Sequence, residues 1–181
     1  MTDLSELIAD GFTVYQDTDY STLPENEFDV VTLLDVVEHV RDPQHLFESV
    51  HRCLKPGGLI YFHVPVVSRL DRVFHGLLRV PGGDRVGKIW QQGRTSVYHL
   101  QNYTPSSLDK LMADSGFGEV SLEVANELSW PIEKYVRIYF VERLGLPQAV
   151  GAPATQVFGP ILKSDYLNAN KALAWGRKPA A

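Results

Sequence analysis

Sulfur is scarce in this chain. Of its 181 residues one is cysteine, Cys53, and two are methionine. A single thiol excludes an intrachain disulfide framework and fits a reducing compartment. No apolar run approaches the roughly 20 residues of a membrane-spanning helix. The opening Met1-Thr2-Asp3 has neither a basic n-region nor an apolar h-region, so no signal peptide is read and a cytoplasmic location is expected. Positive charge is not in excess either: the formal net charge is -5. That argues against a nucleic-acid partner held by bulk charge. Internal repeats are absent, and so is the G-x-S-x-G signature of a serine hydrolase. His39, His45 and His51 recur every six residues. On a helix that spacing turns the side chains by about 240°, so no metal centre is expected from them.

What the chain does contain is an alternation of strand and helix signals. Residues 3–10 (DLSELIAD) read as a short helix stopped by Gly11. Phe12–Gln16 (FTVYQ) is β-branched and aromatic and predicts a strand. Phe28–Leu34 (FDVVTLL) is nearly all apolar after Asp29, the pattern of a strand buried on both faces of a parallel sheet. Asp42 and Pro43 then open a helix. Leu46, Phe47, Val50, Cys53 and Leu54 form its apolar stripe, which assigns Cys53 to the core, and Pro56-Gly57-Gly58 ends it. Leu59–Val64 (LIYFHV) is the next strand. Thr104-Pro105 opens a second helix, Val120–Val124 alternates as a half-buried strand, residues 131–144 form a third helix, and Lys171–Trp175 a last strand. The prolines at 147, 153 and 160, set among glycines and alanines, predict loop over residues 146–160. This order implies a single domain over 1–181, an α/β sandwich with a mostly parallel sheet.

Residues 28–65, FDVVTLLDVVEHVRDPQHLFESVHRCLKPGGLIYFHVP, resemble the central block of class I S-adenosylmethionine-dependent methyltransferases, in the methyltransferase type 11/23-like group. Residues 98–117, YHLQNYTPSSLDKLMADSGF, resemble the segment after the fifth strand of that group. The resemblance implies a Rossmann-like sandwich closed by an antiparallel pair of strands. Phe12–Gln16 stands for its third strand, Phe28–Leu34 for the fourth and Leu59–Val64 for the fifth. It implies S-adenosylmethionine as cofactor and methyl transfer to a small-molecule or other acceptor. By position, Asp17 and Thr18 after the third strand, and Leu34, Asp35 and His39 after the fourth, fall where the family contacts the cofactor. Asp17 would accept from the adenine amino group. Tyr98, His99 and Tyr103 fall where it lines the acceptor pocket, and His39 and His99 are the candidate general bases.

The family's D/E-x-G-x-G cofactor loop is not in this sequence. Its one G-x-G, Gly116-Phe117-Gly118, follows a helix and leads into a strand, the wrong context for such a loop. The expectation is therefore an N-terminally truncated fold without its first two strands. Three readings stay open: a fragment of a longer enzyme, a non-catalytic interaction protein, and a subunit whose site a second chain completes. Unpaired strand edges favour association, so a homodimer is expected. Residues 66–97 read as a lid or insertion rather than core. Arg69, Arg72, Arg79, Arg85, Lys88 and Arg94 outnumber Asp71 and Asp84 there. The segment is either a solvated loop or a surface for an anionic acceptor.

Overall fold

The computed structural model describes residues 5–15, 19–94 and 98–180. In chain order the elements are α1 (Ser5–Ala9), β1 (Phe28–Leu34), α2 (Pro43–Cys53), β2 (Leu54–Pro65), α3 (Arg69–Leu77), α4 (Asp84–Arg94) and α5 (Pro105–Asp114). They continue with β3 (Gly118–Ala125), α6 (Ile132–Val136), α7 (Gly151–Lys163), α8 (Asp165–Asn168) and β4 (Lys171–Arg177). The helix starts follow local chemistry. The Asp42 carboxylate accepts from the His45 backbone N–H ahead of Pro43, and Thr104 and Ser107 form a reciprocal cap ahead of Pro105. Each satisfies an N–H that the first helical turn leaves free.

The four strands lie in the order β1-β2-β4-β3. β1 runs parallel to β2 with Leu33 beside Phe62, while β4 is antiparallel to both β2 and β3. One face of the sheet is packed: Ile60, Phe62 and Val64 of β2 and Ala172 and Ala174 of β4 form a single core with Leu46, Phe47 and Val50 of α2 and Leu108 and Met112 of α5. Phe47 meets Phe62 edge-on with 5.2 Å between ring centroids. Cys53 is buried here, and burial pushes its thiol above the usual range, as suits a packing residue.

The sequence-based expectations need four corrections. Phe12–Tyr15 forms no strand, and Phe12 and Tyr15 are largely exposed; the segment pairs with no described strand, and β1 stays at the edge of the sheet. For the same reason the sheet holds one parallel and two antiparallel pairs. β1 is covered on one face only. Leu33 is buried, but Val30 and Leu34 are 54% and 57% exposed, and Trp175 of β4 lies exposed on the same open face. No described helix packs there. Finally, residues 151–163 are helical despite Pro153 and Pro160. Pro153 falls in the first turn, where its missing N–H has no helical partner, and Ala154 and Leu162 anchor the helix by burial.

That helix belongs to a second, separate core. Trp90, Ile132, Val136, Tyr139, Ala154 and Leu162 are buried together, with Leu70 and Phe74 against them. The Trp90 ring stacks between Phe74, 4.2 Å away, and Tyr139, 5.0 Å away. The basic segment 66–97 is therefore no solvated loop where it is described: α3 and α4 supply one wall of this helical cap. No described helix is long and apolar enough to cross a membrane.

Candidate functional site

A cavity of about 510 Å³ opens between the carboxyl ends of β1 and β2 and the helical cap. Ligands of open α/β sheets bind at that end of the strands. The sheet side of the cavity is built by a reversal after β1. Asp35 adopts a left-handed backbone (φ 51), which aspartate tolerates better than most residues. Its N–H still donates to the His63 carbonyl, so it stays tied to β2. A short turn, Val37–His39, follows. Val37 is fully buried and holds the turn down.

The turn gathers a distant segment. The Glu38 carbonyl accepts from the backbone N–H groups of both Leu100 and Gln101, at 2.8 and 3.1 Å. The Tyr103 hydroxyl donates to the Val37 carbonyl at 3.2 Å. These bonds place His99 against His39, with ring centroids 4.9 Å apart and planes at 76°. His39 Nδ1 lies 2.9 Å from the Tyr98 carbonyl oxygen. A carbonyl can only accept, so Nδ1 carries the proton, which leaves Nε2 directed elsewhere. Nε2 lies 4.0 Å from Glu38 Oε1. The Glu38 side chain is 1% exposed, and its Oε2 has no hydrogen-bond partner.

Electrostatics sharpen the picture. Burial lowers the affinity of His99 for a proton, which outweighs the opposing pull of the Glu38 charge. His99 is thus held neutral with a free lone pair. Burial, aided by the same Glu38 charge, pushes the Tyr103 hydroxyl up to about 12, so Tyr103 acts as a hydrogen-bond donor rather than a base. At the rim, Lys171 Nζ lies 2.6 Å from Asp35 Oδ1. His63 bridges Asp35 and Glu127, at 3.4 and 3.1 Å.

The cap side is aromatic and is fixed by Asp71. Its Oδ1 accepts from the buried Trp90 indole N–H at 2.7 Å, and its Oδ2 accepts from the Ser68 N–H and hydroxyl at the start of α3. Trp90, Trp130 and Tyr135 face the cavity from this wall.

Of the residues singled out by sequence, Asp35, His39, His99 and Tyr103 line the cavity together. Leu34 sits exposed at the end of β1. Tyr98 is 75% exposed and meets the site through its carbonyl rather than its ring. Asp17 and Thr18 lie outside the described residues. Sequence reasoning missed His63, Glu127, Lys171 and Trp90, which carry no local motif. Glu38 was expected beside His39 at the lip of the crevice but was given no role there, and no spacing reveals its burial. His45 and His51 stay apart from His39, yet Glu38 and His99 supply the neighbours that spacing did not.

Comparison with known proteins gives the family and the fold. A family model described as a methyltransferase domain matches residues 3–122. The ubiquinone biosynthesis O-methyltransferase of Hydrogenovibrio crunogenus is 29% identical over 99 residues, which are 54% of this chain and 38% of that protein. The protein of the same name from Pseudomonas putida is 35% identical over 95 residues, 52% of this chain and 38% of that protein. The chain thus matches less than half the length of these curated relatives. In fold it is similar to a methyltransferase from Thermotoga maritima described as a possible histamine N-methyltransferase. The TM-score is 0.54 at 17% identity, covering 97% of this chain and 68% of that one.

Proposed function

This chain belongs to the methyltransferase-domain family, and we propose that its cavity receives the acceptor in an S-adenosylmethionine-dependent methyl transfer to oxygen. The observation that carries the reading is the cluster of neutral His99, His39 and buried Glu38 at the carboxyl end of the sheet, faced by an aromatic wall. S-adenosylmethionine, when bound, supplies a methyl group on a sulfonium, open to in-line displacement by an acceptor oxygen. The residues present fit one side of that cofactor. Leu34 and Val36 leave apolar surface bare beside Asp35 at the end of β1, and Asp17 and Thr18 are assigned to it by position. The glycine loop that would hold its methionine part is not in this sequence.

The chain's own contribution is orientation and proton handling. Trp90, Trp130 and Tyr135 offer flat faces against which an acceptor ring can lie, and Tyr103, His99 and His39 define the opposite rim. Holding the acceptor in line supplies most of the rate in such a transfer. His99, neutral and backed by the Glu38 charge, takes the proton that the acceptor hydroxyl loses, and His39 is positioned to share it. An oxygen acceptor is supported by the names of the two relatives. Arg72 and Arg79, which border a groove beside the cavity with His75, favour one that carries a negative charge. In this reading α3 and α4 act as the lid.

The test is calorimetric titration of the folded chain with S-adenosylmethionine and S-adenosylhomocysteine. Saturable binding weakened by Asp35→Ala is expected. No heat at millimolar ligand would refute the idea that this chain alone forms the cofactor site. A second reading, that another chain completes the sheet, is favoured by the bare face carrying Val30, Leu34 and Trp175. A homodimer is its simplest form, and a dimer mass in light scattering would support it.

A further inference from the structure

Helix α3 has two unlike faces. Leu70 and Phe74 pack into the core of the cap, with Phe74 stacked on Trp90. Arg72, His75, Gly76 and, just past the helix end, Arg79 recur at helical spacing on the other side. With Val67 they line a groove of about 340 Å³, within the range of small-ligand clefts. Val67 and His75 also line the cavity, so groove and cavity meet there. That junction is fixed. The Val67 N–H donates to the Tyr103 carbonyl at 2.8 Å. The His75 ring is held between the Asp71 carbonyl, 2.7 Å from Nδ1, and the Gln91 amide, 3.0 Å from Nε2. Gly76 leaves the groove open, because a Cβ there would meet nothing within 4 Å. Among the described residues no carboxylate lines it. Arg69, on the same helix, is held against Tyr166, 4.1 Å from the ring centroid. The guanidiniums of Arg72 and Arg79 are exposed, and among the described residues they enter no ion pair or hydrogen bond.

We infer that this groove is a subsite for a phosphate monoester carried on an aromatic acceptor, whose ring then lies in the cavity. Arg72 and Arg79 stand about 10 Å apart along the helix axis, and their long side chains can converge on one anion over Gly76. A guanidinium fork matches phosphate oxygens two at a time. A phosphate monoester carries about 1.5–2 negative charges near neutral pH, which two arginines without an acid balance. A carboxylate carries only one. Gly76 sets the room: a side chain at that position would occupy the place of the phosphate. In seating the ring in the cavity the inference rests on the acceptor reading. Binding of phosphate by the groove does not depend on it.

The experiment is calorimetric titration of the chain, without cofactor, with phenyl phosphate, inorganic phosphate and benzoate. Saturable binding of phenyl phosphate is expected, several-fold tighter than that of the other two. Arg72→Gln and Arg79→Gln should each weaken it by about tenfold. Arg85→Gln makes the same charge change on α4, outside the groove, and should bind as the parent does. Gly76→Leu keeps both charges and should abolish binding while circular dichroism shows an unchanged fold. No heat at millimolar phenyl phosphate would overturn the inference. So would an equal loss in Arg85→Gln, which would reduce the effect to bulk charge, or equal affinity for inorganic phosphate or benzoate. Sedimentation with vesicles of phosphatidic acid in phosphatidylcholine, without binding of phenyl phosphate, would overturn it in favour of a lipid headgroup. Binding of phenyl phosphate by a chain that takes up no S-adenosylmethionine would support the subsite and count against the acceptor reading alone, so the two failures stay distinct.

Discussion

Replacing Asp71 by alanine isolates how the helical cap is held. The Asp71 carboxylate is 7% exposed and serves two elements at once. It closes the capping box of α3 through Ser68 and receives the indole N–H of Trp90 from α4. Loss of the cap costs about 1 kcal/mol. Leaving a buried indole N–H without its acceptor costs about 1–3 kcal/mol more. The sum, about 2–4 kcal/mol, is a large fraction of a small domain's stability. Asp71→Asn should fall between parent and alanine, because one amide oxygen can serve only one side while the NH₂ confronts a donor on the other. Urea unfolding followed by circular dichroism measures the midpoint, and the denaturant slope tests that the unfolded reference is unchanged. Trp90→Phe completes a double-mutant cycle, with a coupling of about 1 kcal/mol expected for the shared bond. An Asp71→Ala midpoint within about 0.5 kcal/mol of the parent would refute the reasoning, since a buried acceptor of three donors cannot be removed so cheaply.

Two further expectations follow from the sheet core and its edge. Gly58→Ala should lower stability by about 1–3 kcal/mol, because its Cβ would meet the Lys55 carbonyl oxygen at 2.8 Å and that of Asp29 at 3.2 Å, both backbone atoms; thermal unfolding reads this, and an unchanged Tm would contradict it. Burial, with Lys178 adding to it, holds His51 below the ordinary value of 6.5. The unfolded chain therefore takes up the proton first: this stability is complete above pH 6.5 and is lost as pH falls through the lower folded value. His51→Gln should flatten the acid limb of the stability–pH curve, with His99, shifted the same way, accounting for part of what remains.

The elements that sequence made legible are those whose signals are local. Asp42-Pro43 and Thr104-Pro105 mark their helices, and the apolar stripes of α2 and α5 mark the packed face of the sheet. Residues 151–163 were hidden because proline reads as a breaker, yet Pro153 falls in the first turn and Pro160 is carried inside the helix. The helices of 66–94 were hidden by Pro81-Gly82-Gly83, which interrupts the pattern between them. Phe12–Gln16 has strand composition, but composition cannot supply the neighbour a strand needs. The site was half legible. His39 and His99 stood out by residue type and by resemblance. Their meeting depends on two backbone bonds to the Glu38 carbonyl, across sixty residues of chain that no periodicity links. The burial of Glu38, on which the electrostatics turn, is a property of the assembled turn alone.

The position of β4 bears on the order in which the protein can take shape as it is synthesised. Lys171–Arg177 lies between β2 and β3 and is hydrogen-bonded to both. Until residue 177 has emerged, β2 and β3 are two separate edges, and the surface that Ala172 and Ala174 will cover stays wet. Helices α2 and α5 can form earlier, but they have no complete sheet to lie on. A nascent chain must therefore wait for a late segment to enter the middle of its sheet, a closure between residues more than a hundred apart that is slow by its topology. During that interval the exposed edges of β2 and β3 are where mispairing with other chains begins, and where a chaperone would act.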